Sequence, residues 1–225
     1  MPVDAPLTFS IITPEHTPDN SKNLKELFES ILDQTYANWE WVLYLNGTCQ
    51  VADVCADIRE HPNVKIVEAE DRTETKIGAI KAAAFALGTG DILVEVDHDD
   101  MITPDCLEKL AEAYNADPHV GFVYSDNAVL QENGEFVPYR ADHGWTWRPF
   151  IWKGKELKAM NSFEPSSHSM GTVHYAPDHI RSWRKDVYHV VGGHDASLDI
   201  CDDHQLCVRT YLATEIKHIP SVCYV

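Results

Sequence analysis

Apolar and polar positions along the first 125 residues switch repeatedly between a strand period and a helix period. Leu7–Thr13 (LTFSIIT) is an apolar, β-branched run closed by Pro14, the pattern of a strand buried on both faces. Asp19, Asn20 and Ser21 then offer N-caps, and Leu24, Leu27, Phe28, Ile31 and Leu32 recur at helical spacing. Trp41–Leu45 (WVLYL) predicts a second strand, ended by Asn46-Gly47. Val51, Val54, Cys55 and Ile58 predict a second helix, and Val64–Val67 a third short strand. Lys76–Leu87 is Ala-rich and helical, and Gly88-Thr89-Gly90 stops it. Ile92–Val96 predicts a fourth strand running into Asp97-His98-Asp99-Asp100. Thr103-Pro104 starts a helix with Leu107, Leu110, Ala111 and Tyr114 on one side, and Val120–Tyr124 predicts a fifth strand.

Strands that alternate with helices imply an α/β fold, a Rossmann-like, mainly parallel sheet flanked by helices with right-handed crossovers. Ligands collect beyond the carboxyl ends of such strands. Thr13–Thr17, Asn46–Thr48 and Asp97–Asp100 each follow a strand and so share one sheet edge. The pattern after residue 125 is different. Val129–Gln131 and Glu135–Val137 flank Asn133-Gly134, a hairpin pattern. Tyr139–Trp183 is rich in Trp, His, Pro and Ser with weak periodicity and reads as a long irregular, functional stretch. A helix is expected near Asp202–Leu212 and a strand over Ile216–Val225. The chain reads as a single domain, 1–225, with a smaller mixed region in its second half. Its end inside an apolar run points to further domains beyond Val225.

Composition narrows the function. The chain has 225 residues with 18 Lys+Arg against 36 Asp+Glu, a formal charge of -18. Such acidity gives no general attraction for nucleic acid or for an anionic membrane surface. A hydrophobic fraction of 44% is ample for a folded core. No basic leader and no apolar run long enough to span a bilayer is present, and the six cysteines lack zinc-knuckle spacing. These features read as a cytoplasmic protein with reduced thiols.

Three constellations carry chemistry. Asp97-x-Asp99 ends a strand, where two carboxylates can share a hard divalent cation; an acidic helix-capping turn is the alternative. Val191-Gly192-Gly193-His194-Asp195 leads to the pair Asp202-Asp203, either a base over a cleft or acids favoured by a helix start. Thr13-Pro14-Glu15-His16 and Asn46-Gly47-Thr48 place short polar groups at two neighbouring strand ends, suited to a base and ribose or to plain turns.

Taken in order, these segments resemble the family 2 glycosyltransferases of GT-A fold. The resemblance rests on Pro14-Glu15-His16-Thr17, on Ser30, Gln34 and Tyr36 in SILDQTYANWEWV, and on Leu45-Asn46-Gly47-Thr48. It continues through KIGAIKAAAFALGTGD, VDHDDMITPDCLEKL and GGHDASLDICDDHQLCVR, and covers residues 7 to 138 and 181 to 225. It implies a nucleotide-sugar-binding half, 1–125, and an acceptor-binding half, 126–225. It further implies transfer, with inversion, of a sugar from a nucleoside-diphosphate donor (UDP first, then dTDP or GDP) to a glycan hydroxyl. Asp99 and Asp97 would hold Mn²⁺ or Mg²⁺ against the donor diphosphate. Asp203 would be the general base, with Asp202 the second candidate. Thr13, Pro14, Glu15 and His16 would line the nucleoside pocket, with Asn46 on the base edge, Lys76 on base or phosphate, and His98 a spacer or ribose contact. Three features depart from the family pattern: Asn46 stands for an acid, His98 sits inside the Asp-x-Asp, and the acid pair is Asp-Asp rather than Glu-Asp. A third metal ligand is not assigned, although His218 is one candidate. A nucleotide-sugar pyrophosphorylase would need a Gly-rich basic loop after the first strand, where this chain has TPEHTPDN. A non-catalytic carbohydrate- or nucleotide-binding domain is the other alternative.

Overall fold

The computed structural model describes residues 6–16, 21–130, 143–173 and 175–225. Thr17, the caps Asp19 and Asn20, and the Asn133-Gly134 hairpin lie outside them.

The first half follows the hydrophobic pattern. Strands β1 (Phe9–Glu15), β2 (Trp39–Leu45), β3 (Val64–Glu68) and β4 (Ile92–Glu95) pair in parallel in the order β3-β2-β1-β4. Helices α1 (Ser21–Leu32), α3 (Ile77–Phe85) and α4 (Cys106–Ala116) lie among them in sequence. β1 continues one residue past Pro14, pairing Pro14 with Tyr44 and Glu15 with Leu45. Proline is tolerated there because β4 pairs with β1 only through Ile12, so no ladder partner on that side is lost. The helix expected over Val51–Ile58 is two pieces, a 3₁₀ turn Val51–Asp53 and the single-turn α2 (Ala56–Arg59). Val54 and Cys55 are extended between them, which interrupts the helical ladder while keeping Val54 and Ile58 buried.

Successive residues of β1 point to opposite faces, and both faces are covered. Ile11 joins Leu24, Leu27 and Ile31 of α1 and Leu107 and Leu110 of α4. Ile12 joins Phe85 of α3 and Leu206 and Cys207 of α7 (Asp202–Tyr211).

The second half completes the same sheet in mixed sense. Within the stretch read as irregular, the described residues form β6 (Thr146–Trp152), β7 (Lys155–Asn161), α5 (Ser167–Thr172) and β8 (Arg181–Arg184), followed by α6 (Lys185–Val190). β8 lies antiparallel between β4 and β5 (Val120–Val129), and β7 and β6 continue antiparallel beyond β5. β9 (Glu215–Tyr224) runs parallel to β5. The result is an α/β fold around a mixed central sheet. Because β8 is antiparallel to β4, Arg181 pairs with Glu95 and starts where β4 ends.

The Ser-Gln-Tyr pattern of α1 has a structural explanation. Gln34 donates to the Ser30 and Thr103 carbonyls at 3.0 and 2.8 Å and accepts from the Leu107 amide at 3.0 Å. Ser30 accepts the Ile102 amide, and Tyr36 donates to the Leu7 carbonyl. The Ser30 and Gln34 bonds tie the end of α1 to the segment that follows Asp97–Asp100, and the Tyr36 bond ties the next turn to Leu7, just before β1. Among the described residues no helix is long and apolar enough to cross a membrane.

Candidate active site

The carboxyl ends of β1, β2 and β4 open into a cavity of about 680 Å³ lined by Pro14, Glu15, His16, Asn46, Arg72, Lys81, Asp97, His98 and Asp99, among others. The loops that form it are locked by backbone contacts. The Asn46 amide donates to the Glu15 carbonyl at 2.7 Å, and Thr48 to that of His16 at 3.1 Å. Gly47 has φ +55, and a Cβ there would lie 2.6 Å from the His16 carbonyl oxygen, so the turn requires glycine. Arg72 donates to the Gly47 carbonyl at 3.1 Å and to that of Cys49, closing the loop from below.

Asn46 is oriented unambiguously. Its Nδ2 donates to the Glu74 carbonyl at 2.8 Å, which leaves Oδ1 as a buried acceptor with no hydrogen-bond partner. A buried acceptor of this kind matches an imide N–H.

Asp97 and Asp99 differ in setting. The Asp99 carboxylate is 55% exposed, whereas Asp97 lies 3.9 Å from Lys81 Nζ and 3.8 Å from His179 Nδ1. Tyr224, near the end of β9, braces the loop between them: its hydroxyl accepts the Asp97 amide at 3.0 Å and donates to Asp100 at 2.8 Å. Burial and the neighbouring Asp97 push the Asp100 carboxyl up to about 7. The two carboxylates offer an all-oxygen, partly open donor set, which fits a hard divalent cation.

The sequence reading missed a buried chain of charges behind this cavity. Glu95, fully buried at the end of β4, accepts from Lys81 Nζ at 2.5 Å and from Arg181 Nε at 2.8 Å. Arg181 NH1 in turn donates to Asp203 Oδ2 at 2.7 Å, and its NH2 meets His179 Nε2. The sequence clue was available, since a lone Glu inside ILVEV and a lone Lys inside an Ala-rich helix each demand a buried partner. Burial raises the Glu95 carboxyl, but Arg181 and Lys81 outweigh it and hold Glu95 well below the usual range. Burial and Arg181 both oppose charge on His179, and Asp97 and Glu95 overcome them.

Asp203, the second residue of α7, lines a second cavity of about 410 Å³ with Thr172, Val173, Tyr175, Pro177, Arg181 and His204, among others. Burial pushes its carboxyl up, and Arg181 pulls it down further, to about 2. Asp202 points elsewhere. It is buried with Oδ2 2.7 Å from Nδ1 of His194, whose ring packs against Phe85, Trp183 and Tyr188. Arg209 ties the Gly192-Gly193 turn to α7 through the Val191 and Gly193 carbonyls. Gly78 lets α3 approach the same loop, since a Cβ there would lie 2.1 Å from the Asp195 carbonyl oxygen.

The structure therefore gathers Pro14, Glu15, His16, Asn46, Asp97, His98 and Asp99 at one cavity and Asp203 at the next. Thr13 is buried, with its hydroxyl accepting the Trp41 indole N–H at 3.0 Å, and does not line the first cavity. Lys76 caps α3 and is exposed; Lys81, on the inner side of that helix, reaches the cavity instead. His218 lies between Asp126 (2.9 Å) and Glu164 (3.0 Å), stacked on Tyr124, and is committed to that pairing. Trp145 is buried against Phe163, while Trp147 is 39% exposed.

Comparison with known proteins shows the family and the fold. A model of the family described as Glycosyl transferase family 2 matches residues 10–191. The chondroitin synthase of Escherichia coli is 23% identical over 208 residues, which are 91% of this chain and 27% of the synthase. The chain spans 14% to 27% of the length of the first curated relatives it matches. Among solved structures, S. aureus TarS 1-349 in complex with UDP superposes with a TM-score of 0.70 at 18% identity, covering 97% of this chain and 60% of that one. The mannosyltransferase PcManGT from Pyrobaculum calidifontis, in complex with GDP-Man and Mn²⁺, gives 0.60 at 20% identity, covering 98% and 57%.

Proposed function

Since the chain belongs to glycosyl transferase family 2, we propose that it moves a sugar from a nucleoside-diphosphate donor, UDP first, to a glycan hydroxyl with inversion at the anomeric carbon. The observation that carries this reading is the buried ion-pair chain Lys81–Glu95–Arg181–Asp203, which sets the base of one cavity beside the carboxylates of the other.

In this reading the nucleoside occupies the cavity between Glu15, His16 and Asn46. The free Oδ1 of Asn46 accepts the imide N–H of uracil. Asp97 and Asp99 would hold Mn²⁺ or Mg²⁺, which would supply Lewis acidity and counter-charge for the donor diphosphate. Asp203 keeps one oxygen on Arg181 and takes the acceptor proton at Oδ1, which already accepts the His204 amide at 2.7 Å and has a second lone pair. The acceptor occupies the cavity that Asp203 lines. The complexes named for TarS and PcManGT support a nucleotide donor and a divalent ion.

Two results are expected from calorimetry. UDP binds in the presence of Mn²⁺ and loses its affinity with excess chelator; unchanged affinity would remove the metal from the reading. Asn46→Ala weakens UDP by about 1 kcal/mol, roughly fivefold. It leaves CDP, whose ring lacks that N–H, nearly unaffected; an equal loss for both nucleotides would mean that Asn46 does not read the base. Release of UDP from a panel of UDP-sugars, with and without Mn²⁺, tests transfer chemistry directly.

A further inference from the structure

Three residues of the first cavity form a donor set of a different kind from the Asp97/Asp99 pair. Glu15 ends β1, His16 follows it, and His98 lies in the loop after β4. One ligand atom from each lies within 4.8 Å of the others. The two imidazole rings meet edge to face with centroids 5.7 Å apart. Glu15 is buried, and its Oε1 accepts the His16 amide at 2.7 Å, so the carboxylate is anchored beside the rings.

Two imidazoles and one carboxylate suit a borderline transition ion, whereas magnesium and calcium prefer oxygen alone. Ligand atoms on a tetrahedral zinc stand about 3.4 Å apart, given Zn–N bonds of about 2.05 Å. Closing from 4.8 Å or less is within reach of side-chain rotation by His16, which is exposed, and His98, which is partly so. Among the described residues the other His-containing group, Glu95, Asp97 and His179, is a poorer host because Lys81 and Arg181 already neutralise Glu95.

We propose that Glu15, His16 and His98 bind a divalent transition ion of the zinc class through a donor set distinct from the carboxylates Asp97 and Asp99, of which Asp99 Oδ1 lies 4.0 Å from His98 Nε2. Three protein ligands leave a fourth position open to water or a ligand oxygen. The ion occupies residues assigned above to the nucleoside, so zinc and the donor nucleotide exclude one another. That consequence rests on the donor reading; zinc binding itself does not.

The test is calorimetric titration of the metal-stripped full chain with Zn²⁺, with Co²⁺ visible absorption as a second readout of nitrogen ligation. One tight equivalent of Zn²⁺ is expected to bind and to be retained in Asp99→Asn, while any weaker equivalent on the Asp97 and Asp99 carboxylates is lost in that variant. Loss of a partner behind a ligand lowers affinity roughly 10–100-fold, so loss of a ligand in His16→Asn or His98→Asn should weaken Zn²⁺ by about 100-fold or more. Circular dichroism checks that each variant is folded, and Glu15→Gln supplies a third test. Zinc affinity unchanged in both histidine variants, or lost in Asp99→Asn and retained in them, overturns the site. Excess UDP with Mn²⁺ is expected to weaken Zn²⁺ binding. Zinc affinity that tracks the histidines but ignores UDP upholds the site and removes only the competition.

Discussion

Asp203→Asn is expected to lower sugar transfer by roughly 10²–10⁴-fold, the range typical of a positioned general base, with UDP affinity unchanged. The substitution keeps the side chain's shape but removes its capacity to take a proton. Donor affinity should persist because Asp203 lines the neighbouring cavity and not the one around Asn46 and Asp99. Arg181 governs its charge. With its carboxyl held at about 2, Asp203 remains ionised throughout any practical assay range. The sign follows from linkage: a folded-state value below the ordinary carboxylate range adds stability above that range, and the gain is lost as pH falls toward 2. An acid limb in turnover near neutral pH would therefore belong to another group. Asp202→Asn should instead loosen the packing around His194, which Asp202 holds at 2.7 Å. Wild-type turnover in Asp203→Asn together with lost turnover in a folded Asp202→Asn would move the base by one residue.

The second large effect is on stability. Glu95→Leu should destabilise the protein by about 3–5 kcal/mol, because it strands buried cations that share one carboxylate. Lys81 and Arg181 both stay protonated in the folded state, where Glu95 outweighs the burial that would discharge them. Arg181 keeps Asp203 at 2.7 Å, whereas Lys81 keeps only Asp97 at 3.9 Å in place of a buried carboxylate at 2.5 Å, so the loss falls chiefly on Lys81. Urea unfolding measures the change. A loss below about 1 kcal/mol would show that the two cations do not depend on Glu95.

The parallel half of the fold was legible because its central strands β1 and β4 are buried on both faces and its helices on one. Their residues carry the two periods that burial imposes, as in LTFSIIT and the Leu24–Leu32 stripe. The antiparallel half was not legible. β8 has only four residues, Arg181–Arg184, and two of them are arginines whose partners are remote: Glu95 for Arg181, and the Val120 and Tyr114 carbonyls for Arg184. β6 and β7 form a largely exposed hairpin whose pattern is too mixed to read as strand.

The site divides the same way. Asp97, Asp99, Asn46 and His16 could be named in advance because each follows a strand, and strand ends share one edge by topology alone. Lys76 was assigned through the family resemblance alone; in the structure it is exposed at the start of α3, while Lys81 of the same helix lines the cavity. What the sequence by itself determined is the alternation of buried strands and helices, the edge where their ends meet, and the acids that stand there. What only the tertiary structure decided is which charges meet. Lys81 and Arg181 converge on Glu95 from a helix and an antiparallel strand, and Asp203 and Asp202, adjacent in the chain, face a cavity and an aromatic core respectively. Hydrophobic periodicity records which side of an element is buried. It carries no record of the remote partner that a buried charge must find, and here that partner decides the site's electrostatics.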